Sequence, residues 1–303
     1  MRRERPPGHE TRARRCPLRG GRSDGGRTGA APPGWACKAR PARLLNEAAV
    51  ARAARSAGIQ APARFVEVTA STNDDLLRLA EEGAPAWTVE VAAHQQEGRG
   101  RLGRTWVSTP GSSLLVSVLL RPDLPPADAA MLTLAAGACM AVSCSVACGV
   151  DVRCEWPNDL MAGERKIGGI LAEAKVEAAR LAHVVVGVGM NVAQTAEDFP
   201  EEIHGFATSI AVEGGRPDMA ALLFEFLLRL KRFGDPDRPA FRETTLDMYR
   251  RACATIGRRV RARTTEGRDI EGTAVGVGDA GQLLVETGGG TEEVTFGEIA
   301  RLT

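Results

Sequence analysis

Three features that would each indicate a particular class of protein are missing from this sequence. None of its seven cysteines forms a C-x-x-C pair, and three of them lie in one apolar stretch, so neither a metal centre nor a disulfide framework is predicted. No apolar run reaches membrane-spanning length free of polar residues. The formal net charge is +1, which gives no overall attraction to nucleic acid or to an anionic membrane. These absences predict a soluble protein of a reducing compartment, the cytoplasm, with no membrane partner.

The near-neutral total conceals a strongly basic segment at residues 1–43. It holds twelve arginine or lysine residues against three acidic ones, together with seven glycines and six prolines. Such a composition cannot bury enough apolar surface to offset the entropy of ordering, so residues 1–45 are predicted to form a disordered basic extension. A nucleic-acid arm or a transit peptide would be the functional alternatives. We favour a dispensable segment, because charge runs are usually solvated and transit peptides avoid acids such as Glu4, Glu10 and Asp24.

The rest of the chain alternates between helical and strand periodicity. Helices are expected at residues 46–58, with Asn46 as N-cap and Gly58 as terminator, and at 71–83, 127–148, 218–233 and 239–254. Strands are expected at residues 64–70, 87–95 and 112–121, and as hairpins within 152–192. From residue 257 the pattern changes to short strands between turn signals. The sequence therefore predicts an α+β domain at 46–256, with a mixed or antiparallel sheet flanked by helices, and a small β-barrel at 257–303.

The segment EGRGRLGRTW (97–106) carries three arginines separated mostly by glycine. Read literally it contains G-x-G-x-x-G, but a dinucleotide site needs a helix to begin there, and a proline, a glycine and a strand follow instead. An RGG-type RNA segment would be repeated and disordered, whereas this motif occurs once between two strands. The remaining interpretation is a mobile loop of guanidinium groups that bind phosphate or carboxylate by bidentate hydrogen bonds.

Three further motifs follow the arginine-rich segment: WPND at 156–159, RKIGGIL at 165–171 and GVGMN at 187–191. Together with STN at 71–73 and QQEGRGRLGRTW at 95–106, this ordered set closely resembles the biotin protein ligases, also called biotin–[acetyl-CoA-carboxylase] ligases. The resemblance covers residues 64–303. It implies a class II synthetase-like catalytic domain followed by an SH3-like β domain.

The resemblance also implies a two-step reaction that uses ATP, Mg²⁺ and biotin. The biotin carboxylate attacks the α-phosphate of ATP, giving biotinyl-5′-AMP and pyrophosphate. A specific lysine of a biotin carboxyl carrier protein then attacks the mixed anhydride and releases AMP.

Roles for individual residues follow from their positions in the matched motifs. The catalytic group implied by the resemblance is Arg99, Arg101, Lys166 and Asp159. The implied biotin site comprises Ser71, Thr72, Asn73, Gln95, Arg99, Gly100, Arg101, Lys166, Gly169 and Gly187. The implied nucleotide site comprises Arg101, Arg104, Trp106, Asn158, Gly189 and Asn191. No residue is assigned to the metal, and Asp159 is expected to assist the carrier lysine, which is mostly protonated at neutral pH.

Two positions depart from the family pattern. Lysine usually precedes WPND, and this chain has Glu155. The reversed charge either weakens nucleotide binding or is compensated by Arg153, two residues earlier on the same strand face. On that basis Glu155→Lys is expected to keep or raise activity. Within the loop, Leu102 stands where some relatives carry another arginine.

Three other functions are alternatives to the ligase. A lipoate ligase or octanoyltransferase resembles this fold but lacks the GRGRxGR loop. A sensor that only binds biotinyl-AMP is an alternative because of Glu155. A repressor would need an N-terminal helix-turn-helix of patterned helices, which is not predicted before residue 64, so no sequence-specific DNA binding is expected.

Overall fold

A computed structural model describes residues 45–264, 267–295 and 297–302. The predicted basic extension at 1–45 lies outside these residues except for Leu45. The helices are α1 (Glu47–Ser56), α2 (Thr72–Glu81), α3 (Ala129–Cys148), α4 (Met219–Phe233) and α5 (Phe241–Ala252). The strands before α4 are β1 (Ala63–Thr69), β2 (Val89–Gln95), β3 (Ser113–Leu120), β4 (Arg153–Glu155), β5 (Asp159–Ala162), β6 (Arg165–Glu177) and β7 (Arg180–Asn191). The remaining strands are β8 (Arg259–Thr264), β9 (Asp269–Val277), β10 (Leu283–Thr287), β11 (Gly290–Val294) and β12 (Gly297–Arg301).

Strands β1 to β7 form one mixed sheet in the order β1-β2-β3-β7-β6-β5-β4. Strands β1 and β2 are parallel because α2 crosses between them, and the other neighbouring strands are antiparallel. This arrangement confirms the predicted α+β class and the mixed sheet.

Helices cover the sheet unequally on its two faces. Along β3, side chains that alternate in sequence, such as Leu114 and Val116, pack in the main core with α3. Leu119 points the other way and packs with Leu76 of α2 and Val185 of β7. One face therefore carries most of the helices, and the other carries α2 with open space beside its N-terminus.

Local sequence signals account for the helix boundaries. The side chain of Asn46 accepts a hydrogen bond of 2.9 Å from the amide of Ala49, so the predicted N-cap of α1 is confirmed. Helix α3 ends at Gly149, which has a left-handed φ of 76°. The stretch Pro126–Cys148 is long and apolar enough to cross a membrane, and is the only such helix among the described residues. However, 78% of an apolar 18-residue part of this stretch is buried inside the protein, as in a core helix.

Strands β8 to β12 form a separate antiparallel sheet in the order β11-β10-β9-β8-β12, as expected for an SH3-like domain. The predicted boundary at 256/257 falls between α5 and β8. Trp156, buried after β4, connects the two sheets. Its backbone amide donates to Oγ1 of Thr255, and its indole Nε1 donates to the carbonyl of Gly281, both at 2.9 Å.

Candidate active site

A cavity of about 470 Å³ lies on the α2 side of the large sheet. Its walls are the N-terminus of α2, the arginine loop (residues 98–106), the turn between β4 and β5, the middle of β6 and β7, and the outer face of β8. The predicted site residues that line it are Ser71, Thr72, Asn73, Gln95, Arg99, Gly100, Arg101, Arg104, Trp106, Asn158, Asp159, Lys166, Gly169, Gly187 and Gly189.

The floor beside α2 is a network of uncharged polar groups. Both the amide and the hydroxyl of Thr72 donate to Oε1 of Gln95 at 2.9 Å. The hydroxyls of Thr72 and Ser117 lie 2.7 Å apart, and Ser117 donates to Oδ1 of Asn73 at 2.6 Å. Ser71 occupies the N-cap position of α2 without a side-chain cap bond. This floor presents fixed donors and acceptors, which suits a neutral polar ligand head.

The arginine loop is held as a small hairpin by its own backbone. The amide of Trp106 donates to the carbonyl of Gly98 at 2.8 Å, and that of Gly100 donates to the carbonyl of Arg104 at 2.7 Å. Leu102 adopts a left-handed φ of 56° at the tip and is 67% exposed. A short 3₁₀ turn at Arg101–Gly103, and no α-helix, follows the glycine pattern, which agrees with rejecting a dinucleotide site.

Two arginines of the loop contact polar partners on neighbouring elements. Nη2 of Arg99 contacts Asp74 at 2.5 Å and Glu173 at 3.0 Å. The carboxylate of Glu173 also accepts from Nδ2 of Asn73 at 2.7 Å, so it joins the loop to α2. Arg101 donates to Oδ1 of Asn158 at 3.2 Å.

The start of β5 and β6 carries a second charged pair. Nζ of Lys166 donates to Oδ1 of Asp159 at 2.6 Å. Asn158 is fixed beside them, because its side-chain amide donates to the carbonyl of Ile170 while its own carbonyl accepts from the Ile170 amide, both at 2.9 Å. The peptide bond between Trp156 and Pro157 in this turn is cis.

Two glycines of β7 are required by close packing. A Cβ atom on Gly187 would lie 2.2 Å from Oδ1 of Asn73, and one on Gly189 would lie 2.7 Å from Cε2 of Trp106. Strand β7 therefore passes directly beneath α2 and the indole ring, which no other residue type would allow without displacement.

The structure departs from the prediction at two residues. Asn191 does not line the cavity: it is buried, its side chain donates to the carbonyl of Thr208 at 3.0 Å, and it accepts from Gln194 at 3.1 Å. Arg153 donates to the backbone carbonyls of Arg251 and Ala252 and likewise does not line the cavity. The expectation that Arg153 compensates for Glu155 is therefore wrong.

The cavity also contains residues that the motifs did not identify. Arg261, Arg263 and Asp269 line it from the C-terminal sheet. Glu155, the residue before WPND that departs from the family pattern, lines it from the end of β4. The alternation of Arg259, Arg261 and Arg263 is typical of a strand with one charged face, but it does not show which part of the protein that face contacts. Among the described residues no group of three or more His, Cys, Asp or Glu side chains could hold a metal ion.

Comparison with known proteins identifies the family. Residues 65–191 match the Biotin/lipoate A/B protein ligase family, and residues 255–302 match the Biotin protein ligase C terminal domain. The chain is 38% identical to the Biotin--[acetyl-CoA-carboxylase] ligase of Mycobacterium tuberculosis, an alignment that spans 78% of this chain and 88% of the relative. It is 35% identical to the Bifunctional ligase/repressor BirA of Bacillus subtilis over 78% of this chain and 72% of the relative.

The chain belongs to the biotin protein ligase family. Among solved structures it resembles the biotin protein ligase from Aquifex aeolicus in complex with biotin and ATP, with a TM-score of 0.65 and 28% identity over 79% of this chain and 97% of that one. The resemblance read from the motifs is thereby confirmed, together with the ATP-dependent biotin protein ligase function that it implied.

Proposed function

We propose that this chain activates biotin as biotinyl-5′-AMP and transfers the biotinyl group to one lysine of a biotin carboxyl carrier protein, such as that of acetyl-CoA carboxylase, in the cytoplasm. The observation that carries the proposal is one cavity in which an uncharged polar floor adjoins a set of cationic side chains. Such a cavity suits a ligand with a neutral polar head and an anionic tail beside a second polyanion.

The first step joins two anions, so charge neutralisation is its main requirement. The biotin carboxylate oxygen forms a bond to the α-phosphorus of ATP, and the bond from that phosphorus to the bridging oxygen of pyrophosphate breaks. Arg99, Arg101 and Lys166 would neutralise the approaching groups and align them. Two of these cations already contact carboxylates, Arg99 with Asp74 and Lys166 with Asp159. Ligand anions would replace those partners.

The ureido ring of biotin and the adenine of ATP would contact different parts of the cavity. Thr72, Asn73 and Gln95 offer the amide and hydroxyl groups that a ureido ring can hydrogen-bond, and Ser71 with Gly169 completes that end. Trp106 would offer an aromatic face to adenine, with Arg104, Asn158 and Gly189 on the nucleotide side.

Mg²⁺ would be held mainly by oxygens of the ATP phosphates. Mg²⁺ in phosphate-transfer sites keeps several waters and takes one or two protein carboxylates. The carboxylate of Asp159 beside Asn158 fits that limited role, and no larger acidic cluster occurs among the described residues. Mg²⁺ would supply further charge neutralisation on the phosphates.

The second step needs a neutral amine from the carrier. The lysine nitrogen forms a bond to the biotinyl carbonyl carbon, AMP leaves with the electron pair of the broken C–O bond, and the amine loses a proton. Asp159 is our candidate to accept that proton, because its carboxylate lies at the cavity wall where the adenylate would form.

A mass-spectrometric assay tests the proposal. The purified chain, ATP, Mg²⁺ and biotin are mixed with a carboxyl carrier domain, and Arg101→Ala is compared with Arg251→Ala, an exposed arginine of α5 outside the cavity. We expect one biotin-sized mass gain on one carrier lysine, slowed only by the Arg101 variant. Transfer of lipoate in preference to biotin would support the lipoate ligase instead. Formation of biotinyl-AMP without transfer to any carrier lysine would support the sensor.

A further inference from the structure

A row of directly paired residues crosses the large sheet beneath α2. Glu90 of β2 lies between Arg64 of β1 and Ser117 of β3 in the strand register. Ser117 in turn pairs with Gly187 of β7. Residues directly opposite each other on neighbouring strands present their side chains to the same face of a sheet. That face carries α2, because Ser117 donates to Asn73 at 2.6 Å. The row therefore runs from the edge strand β1 to the polar floor of the cavity.

The first turn of α2 rests on this row. The side chains of Thr72 and Asn73 both contact the hydroxyl of Ser117. Asp75 follows Thr72 by three positions, on the same side of the helix, and its carboxyl group contacts that of Glu90. The residues of the polar floor and the residue that contacts Glu90 therefore belong to one helical turn.

Glu90 is fully buried, and charged groups face it from β1 and from α2. From β1, the exposed Arg64 lies 3.7 Å from its Oε2. From α2, Asp75 contacts it, and the exposed Arg78 lies 3.9 Å from Asp75. From β3, its opposite neighbour is the uncharged Ser117. Solvent screens the two exposed guanidinium groups, so burial, and then Asp75, raise the pKa of Glu90 to about 8. Glu90 therefore holds a proton at neutral pH.

We propose that Glu90 is a positioning residue for biotin, which holds the first turn of α2 on the sheet through a proton shared with Asp75. This inference rests on the proposed function, because it takes Thr72 and Asn73 as the biotin end of the cavity. When the shared proton is lost, two carboxylates face each other beneath the helix. Their repulsion displaces the turn that carries both floor residues, so the ureido ring loses aligned hydrogen-bond partners. The nucleotide side is less affected, because it is built from the arginine loop, the turn between β4 and β5, and β7.

The pH dependence of biotin binding tests this role. Equilibrium binding of biotin is measured by calorimetry at pH 7 and at pH 9, a range in which a carboxylate such as that of biotin stays ionised. The variants are Glu90→Gln and Asp75→Asn, each of which removes one of the two acids and keeps its size. Glu67→Gln, an exposed acid of β1, is the control. KM values for biotin and for ATP are measured at both pH values in the adenylation assay, and thermal unfolding checks that each variant is folded.

The unmodified chain and the Glu67 variant should bind biotin about tenfold more weakly at pH 9 than at pH 7, as expected for the loss of one proton with a pKa near 8. In Glu90→Gln and Asp75→Asn the loss should be less than about threefold, with binding at pH 7 unchanged. KM for biotin should follow the same pattern, and KM for ATP should depend on pH equally in all the proteins.

An equal loss of biotin affinity in Glu90→Gln and the unmodified chain would overturn the proposal. So would a pH dependence of KM for ATP that Glu90→Gln also abolishes, because the helix turn would then not be the part that moves. Absence of biotin binding by the unmodified chain at both pH values would refute the proposed function, and this inference with it.

Discussion

The indole ring of Trp106 packs directly on the backbone of Gly189, where an added Cβ would lie 2.7 Å from Cε2 of the ring. The first prediction follows from this contact. Gly189→Ala should displace the indole and raise KM for ATP by about tenfold, a loss of the order of one aromatic contact. Gly276→Ala is the matched control, because the nearest atom to its added Cβ would be 3.8 Å away. If both variants bind ATP equally well, Trp106 does not depend on Gly189 for its position.

Local signals in the sequence were sufficient for most of the fold. The cap at Asn46, the alternation along β3 and the apolar length of α3 depend on residues close together in the chain, and each predicted its element correctly. At Gly187 and Gly189 of the GVGMN motif, the strand passes close to side chains of other elements. Glycine at these two positions therefore indicated a close approach of the backbone.

Predictions that depended on distant parts of the chain were less successful. The family resemblance placed Asn191 in the nucleotide site with Gly189, but its side chain donates to the backbone carbonyl of Thr208 instead. Arg261 and Arg263 could not be assigned to the site from sequence, because only the packing of the C-terminal sheet brings them there.

Substitution of Asp159 should slow the transfer step much more than the adenylation step. Asp159→Asn keeps the size of the side chain but cannot accept a proton from the carrier lysine, so transfer should slow by about a hundredfold and adenylate formation by less than about tenfold. Pre-formed biotinyl-AMP is mixed with carrier in a single turnover, and Asp247→Asn on the exposed face of α5 is the control. The transfer rate of the variant should rise steeply with pH as the carrier lysine deprotonates unaided. A pH-independent defect would rule out this role for Asp159.

Glu173 should hold the arginine loop against α2. Its carboxylate contacts both Arg99 and Asn73, so Glu173→Gln loses the charge on which those contacts depend. We expect trypsin to cleave the loop at its arginines several times faster in this variant. Glu177→Gln, farther along the same strand, serves as the control, because Glu177 pairs with Lys175 away from the loop. Equal cleavage of the two variants would show that the loop is held by its own backbone bonds.

The hairpin between β6 and β7 turns on Ala178 and Ala179, which have left-handed φ values of 48° and 62°. Two positive φ angles in a two-residue turn favour Asn-Gly, and alanine there is strained. Ala178→Asn with Ala179→Gly should increase the free energy of unfolding by about 1 kcal/mol or more without changing activity. Thermal or urea unfolding measures the gain. The single variant Ala178→Val should move stability in the opposite direction, and a stabilising effect of valine would contradict the assignment of strain to this turn.

Glu90 on β2 should make stability depend on pH. It is fully buried. Burial, and then the neighbouring Asp75, raises the pKa of its carboxyl group to about 8, against the smaller opposing effect of Arg64. The pKa of Glu90 in the folded state lies above its unfolded value near 4.5, so between these two values the folded state binds more protons than the unfolded state. The free energy of unfolding therefore falls as pH rises from about 5 to 8. Glu90→Gln removes the proton exchange, so it should match the unmodified chain at pH 5 and be more stable at pH 8.5. Urea unfolding at both pH values measures this, with the exposed Glu67→Gln as control. Parallel pH profiles for the unmodified chain and Glu90→Gln would show that Glu90 does not titrate in this range.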